Sequence, residues 1–268
     1  MTARRLALRL VGLALGATCL TACAARQFTP PSDPGSPLPA FNDVHAAVVS
    51  ACLGLRTFTA ELGLSGRVGP ERLRGRVVAG FMRPDSMRLE GVAPLGPPAF
   101  ILVSRAGVST LVLPRENAVL REAPPADVLE ALTGVALEPS DLQAVLTGCV
   151  TANPRVTSGR LHGNGWASLT MDTGAELYLQ RDGEMWRLRA ARRGRWMIEY
   201  PLWQGRFPST VRLRSDAPGV QVDLSATISQ LEANVDLDAA AFALMAPPGA
   251  TSVSLDDLRQ GGPLRNQP

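Results

Sequence analysis

The chain has 268 residues, 46% of them hydrophobic and 19% charged, with 27 basic against 24 acidic side chains and two histidines. Every basic residue is arginine; Arg4, Arg5 and Arg9 lie near the start and every acidic residue lies beyond position 23, so the 246 residues after position 22 carry 24 charges of each sign. That balance removes the long-range attraction for nucleic acid that a pI near 8.9 would suggest, and leaves an ordinary globular composition for one domain with a sizeable core.

Residues 1–22 run from an arginine-flanked start through the apolar stretch Leu10–Ala17 to Leu20-Thr21-Ala22, just before Cys23. The apolar run of 13 residues, Leu10 to Ala22, is too short to cross a bilayer core and predicts a signal peptide. Leu-Thr-Ala-Cys resembles the bacterial lipobox, which implies cleavage before Cys23 and acylation of that cysteine. Acyl chains bury methylenes at about 0.8 kcal/mol each, so such an anchor would be permanent. In enterobacterial lipoproteins an aspartate after the acylated cysteine favours inner-membrane retention; Ala24 stands there, so the lipobox resemblance implies the periplasmic face of the outer membrane. Residues 23–40 include Pro30, Pro31, Pro34, Pro37 and Pro39 and predict an extended, solvated tether at about 3.1 Å per residue.

The folded domain is expected over 41–250, followed by a polar tail over 251–268. Phe41, Val44, Val48, Ala51, Cys52 and Leu55 recur at helical spacing and predict an opening helix capped by Asn42 or Asp43. From Arg56 the period changes to two. Phe58, Ala60, Leu62 and Leu64 alternate with polar residues, as do Leu73, Val77, Ala79 and Phe81. Strands follow at Met87–Val92, Phe100–Ser104, Val108–Leu113 and Ala118–Glu122. Ala126–Leu132 and Ser140–Leu146 read as two short helices, each opened near a proline and closed by Gly134 or Gly148. Strands resume at Glu176–Arg181 and Met185–Ala191 around the turn Asp182-Gly183, then at Arg195–Tyr200, Thr210–Ser215 and Val220–Leu231.

This pattern predicts a mainly β, α+β fold: a curved antiparallel half-barrel sheet of about 11–12 strands, with an N-terminal helix and two short lid helices over its concave face. Three short helices cover only part of such a sheet. Its apolar face is therefore either hollow, as a lipid site would be, or filled by its own side chains. With Cys19 in the leader and Cys23 acylated, Cys52 and Cys149 remain in an oxidising compartment, where they either join as a disulfide or stay as two buried thiols.

Two segments carry a resemblance. The first is Leu89-Glu90-Gly91-Val92-Ala93-Pro94-Leu95-Gly96-Pro97. The second is Leu132-Thr133-Gly134-Val135-Ala136-Leu137-Glu138-Pro139-Ser140-Asp141-Leu142, ending in Leu146-Thr147-Gly148. Over 41 to about 230 the chain resembles the LolB family of outer-membrane lipoproteins, within the LolA, LolB and RseB half-barrels. The ending, with Asn234-Val235-Asp236 and Pro247-Pro248-Gly249, is closer to LolA-type half-barrels. The LolB resemblance implies an acceptor, a monomer without cofactor, that takes the acyl chains of lipoproteins from a LolA-type periplasmic carrier and inserts them into the outer membrane. It also implies an insertion loop at Pro94, Leu95 and Gly96, with Pro97 and Phe100 nearby as a wedge. The lid would be Leu132, Leu137, Leu142 and Leu146. Candidate cavity positions are Leu62, Val77, Leu89, Leu102, Leu188 and Leu213. The other reading is an RseB-like sensor or structural lipoprotein that binds a protein partner.

Catalytic constellations are not evident. His45 and His162 belong to no metal-spaced cluster, and neither a phosphate loop nor a nucleophile elbow occurs, so a non-enzymatic role is expected. His45, close to Asp43, reads as a solvated or capping residue. Arg192, Arg193 and Arg195, flanked by Trp186 and Trp196, form a basic hairpin tip that is either a docking patch or a solvated turn.

Overall fold

The computed structural model describes residues 28–215 and 221–264; the expected signal peptide, Cys23 and Val220 lie outside them. Among the described residues fifteen strands form one open sheet in the order β1-β8-β9-β10-β11-β12-β13-β14-β2-β3-β4-β5-β6-β7-β15. The first half-sheet holds β2 (Thr57–Val68), β3 (Glu71–Met82), β4 (Ser86–Val92), β5 (Phe100–Arg105), β6 (Val108–Leu113) and β7 (Ala118–Ala123). The second holds β8 (Val156–His162), β9 (Trp166–Met171), β10 (Glu176–Asp182), β11 (Met185–Arg193), β12 (Trp196–Gln204), β13 (Phe207–Ser215) and β14 (Val222–Ala233). Pairing of β14 with β2 joins the two halves, with Ala226 opposite Leu64. Two-residue strands, β1 (Ser36–Pro37) and β15 (Thr251–Ser252), finish the edges, and β15 runs parallel to β7.

Alternation along the strands sorts the faces. Phe58, Ala60, Leu62, Val77, Ala79 and Leu89 are buried in one cluster on the inner face, together with Leu169, Leu179 and Leu188 from the other half. Four helices lie against that cluster: α1 (Phe41–Ser50), α2 (Pro125–Thr133), α3 (Pro139–Thr147) and α4 (Leu255–Gly261). α2 and α3 each begin on proline and end on a left-handed glycine, Gly134 at φ 75° and Gly148 at φ 64°. The expected side-chain cap on α1 is not made: Ala40 holds the capping position, and Asn42 and Asp43 lie inside the helix. His45, expected to be solvated or to cap the helix, does neither: it is buried on the inner side of α1.

Strands β8 and β9 were not anticipated. Thr157, Ser158, Arg160 and His162 give β8 a polar face with few apolar partners, because it lies beside the sheet edge, where water or a strap covers it.

That strap corrects the reading of residues 23–40 as a free tether. From Phe28 onward the segment is docked. Tyr178 and Glu199 alternate with inward-facing neighbours and so point to the outer face. There the Phe28 ring lies 5.3 Å from Tyr178 and 5.6 Å from Trp166, and its N–H donates to Glu199 at 3.3 Å. Glu199 also accepts from Arg214 at 2.6 Å, a pair whose side chains are 4% and 14% exposed. Burial and the hydrogen bond to Glu176 push the Tyr178 hydroxyl pKa up to about 12. The strap then rounds the sheet edge. Arg160 donates to the carbonyls of Pro34 and Gly35, and β1 pairs with β8. Gly35 is required here: its φ is +64°, and a Cβ would fall 2.7 Å from the His162 ring. Phe28→Ala is expected to cost about 1–2 kcal/mol and to expose the strap to limited proteolysis, read by denaturant unfolding and cleavage rate.

The expected polar tail is also structured. Ser254 and Asp257 form a capping box at the start of α4. Leu258 and Leu264, each 2% exposed, enter the main core. Three leucines in a polar run were too sparse to signal a buried element, yet they suffice once a gap in the inner face awaits them.

Candidate functional site

The hollow lies between the lid helices and the centre of the sheet. Leu62 and Leu64 of β2, Leu73 and Val77 of β3, Leu89 of β4 and Phe100 of β5 form one wall. Val211 and Leu213 of β13, with Leu224 and Ala226 of β14, form the other. Leu129 and Leu132 of α2, Val135 and Leu137 of the link, and Leu142, Val145 and Leu146 of α3 roof it, and Leu264 closes a side. The space is about 110 Å³, and its only polar lining comes from the hydroxyl residues Ser65, Thr133 and Ser225. No charged residue lines it, so it offers a ligand apolar contact without a fixed hydrogen-bond pattern.

All four lid leucines face this hollow, as do Leu62, Val77, Leu89 and Leu213. Leu102 does not; it is fully buried in packed core. Leu188 lines a separate hollow farther along the same face. Alternation places a residue on the inner face but does not say where along that face space remains, which is why these two positions miss the hollow. Leu64, Leu73, Val145, Leu224 and Leu264 line the hollow without having been named as cavity positions, although the first, second and fourth share the alternation of their neighbours.

Strand register puts the Leu95 loop at one end of the sheet. Gly91 pairs with Phe100, and Val92 with Arg76, so residues 93–99 lie at the end marked by the β2–β3 turn at Gly69 and Pro70. Gly134 belongs to the same end, since a Cβ there would meet Val68 at 2.4 Å. The lid link and the loop thus lie at the same end of the sheet, and Phe100 at the base of the loop lines the hollow. Leu95 is 85% exposed, and Arg115 donates to its carbonyl at 2.7 Å. Pro94, Gly96 and Pro97 are exposed with it, and Gly96 takes φ 83°. Phe100 is no part of this tip: it is 1% exposed and forms hollow wall, with Gly91 packed against its ring.

At the other end a disulfide joins Cys52, past α1, to Cys149, past α3. The same end holds Trp203 beside Gly148, and Arg206, which donates to the Ala51 carbonyl at 3.0 Å. α3 is thus fastened at its C-terminus by the disulfide. Its N-terminal turn is fastened by Arg193, which donates to Asp141 at 2.9 Å. The basic hairpin tip stays exposed while making local contacts: Arg192 lies 3.8 Å from Glu176, and the Arg195 guanidinium stacks 5.1 Å over Trp196. Among the described residues no group of three or more His, Cys, Asp or Glu side chains converges as a metal site.

No protein-family profile matches the chain, and no characterised protein matches it in sequence. A solved DUF1329 family protein from Desulfovibrio piger superposes with a TM-score of 0.51 at 14% identity, covering 78% of this chain and 98% of that one. The two share a fold, and the single open, curved sheet of this chain is a half-barrel. A LolA superfamily protein from Nitrosomonas europaea also matches, with a TM-score of 0.47, 11% identity, and coverage of 75% of this chain and 98% of that one.

Proposed function

We propose that this chain is an outer-membrane-anchored, lipid-handling lipoprotein, acylated at Cys23. It takes acyl chains of lipoproteins from a periplasmic carrier of the LolA type into the hollow under α2 and α3, then releases them into the membrane. The observation that carries this reading is the uncharged hollow roofed by Leu132, Leu137, Leu142 and Leu146. An acyl chain has no polar group to satisfy along its length, so such a lining stabilises it by about 0.8 kcal/mol per buried methylene. The exposed Leu95 at the same end supplies an apolar contact for the bilayer. Binding and release need no covalent chemistry and no cofactor.

Filling the hollow tests the reading. Ala226 lines it and is 9% exposed. Ala226→Trp is expected to reduce binding of a palmitoylated peptide by about tenfold or more, at an overpacking cost of about 1–3 kcal/mol. Titration with the fluorescent peptide, alongside a melting curve, measures both. Unchanged binding by folded Ala226→Trp would rule out this hollow as the acyl site.

A further inference from the structure

A second hollow lies on the same inner face, across α3 from the first. Met171, Leu177, Leu188, Ala191, Ile198 and Tyr200 contribute to it from β9 to β12, and its volume is about 240 Å³. α3 divides the two. Leu142, Val145 and Leu146 line the first hollow, while Asp141, Ala144 and Val145 line the second. These sets are neighbouring stripes of one helix, and they share Val145. The adjacent residues Asp141 and Leu142 belong one to each hollow, so both hollows reach the first turn of α3. The divider is held at both ends, by Arg193 on Asp141 and by the disulfide at Cys149.

We infer that the two hollows form one forked site for a two-chain ligand, a diacylglyceryl group whose chains lie on either side of α3. This rests on the lipid-handling reading and adds to it a second acyl-chain subsite on the far side of α3. One acyl chain in the first hollow leaves the second apolar floor in water. Chains that leave adjacent carbons of one glycerol occupy both floors, with the glyceryl fork at the N-terminal turn of α3. The polar rim of the second hollow, where Asp141, Thr151, Asn153 and Arg193 lie, suits the ester-bearing end and not the chain ends. A single-chain ligand has no use for the second floor.

The test compares two fluorescent peptides, one bearing a single palmitoyl chain and one bearing dipalmitoylglyceryl, on the full chain carrying Cys23→Ser so that its own acyl chains do not compete. The two-chain peptide is expected to bind about tenfold tighter or more, because it buries additional methylenes. Ala144→Phe and Ala191→Phe fill the second hollow from its two sides. Each is expected to bring the two-chain peptide down to single-chain affinity, with melting curves identifying folded variants. Equal affinity of the parent chain for both peptides would overturn the fork and leave the acyl-binding reading standing. So would a preference that survives in folded Ala144→Phe and Ala191→Phe. Failure of the parent chain to bind either peptide would overturn both.

Discussion

Leu95→Glu is expected to leave the fold intact and to lower delivery of lipoproteins into vesicles by about 10- to 100-fold. The side chain is 85% exposed, so its loss removes almost no packing and stability should change by less than about 0.5 kcal/mol. Inserting a leucine into the bilayer boundary contributes about 1.5–3 kcal/mol, and a carboxylate in its place adds a desolvation cost. The loop presents this residue at the end of the sheet where the lid link lies, and Phe100, which opens β5 opposite Gly91, connects the loop directly to the hollow wall. Acyl uptake by the variant should therefore equal that of the parent chain while release into the membrane falls. A reconstituted assay that scores uptake and insertion separately reads this split. Normal insertion by Leu95→Glu would remove the loop from the mechanism.

Replacing Cys52 and Cys149 together with serine is expected to cost about 4–5 kcal/mol. The disulfide spans a sequence separation of 97 residues, and a closed loop of that size removes much of the unfolded chain's freedom. For a domain of this size the melting temperature should fall by about 8–20 °C. The damage should be greatest locally at α3, whose C-terminal end loses its fastening while Arg193 still holds Asp141. Thermal unfolding of the double variant, with hydrogen exchange across Pro139–Thr147, measures the global and local effects. A melting temperature within about 2 °C of the parent would show that tertiary packing alone holds the two segments.

Much of this architecture was legible because period is a local property. Alternation from Phe58 to Leu64 marked both the strand and its inner face, and prolines with Gly134 and Gly148 bracketed the two lid helices. The lid leucines came from the family resemblance and not from period, and Leu132, Leu137, Leu142 and Leu146 all reach the hollow. Strand β8 escaped because an edge position under a strap does not need an apolar alternation. Phe28, Leu258 and Leu264 escaped because isolated apolar residues in polar or proline-rich runs look like exposed ones until a distant surface receives them.

By itself, then, the sequence determined an even balance of charge beyond residue 22, a curved antiparallel sheet, two short helices and the cysteines Cys52 and Cys149 within the folded domain, all through local spacing and composition. Only tertiary structure decided that the supposed tether wraps the sheet edge, that the tail walls the hollow, and that Leu102 is packed while Leu213 lines open space. Space between elements depends on how strands curve and where helices stop, and those are sums over the whole sheet that no local pattern records.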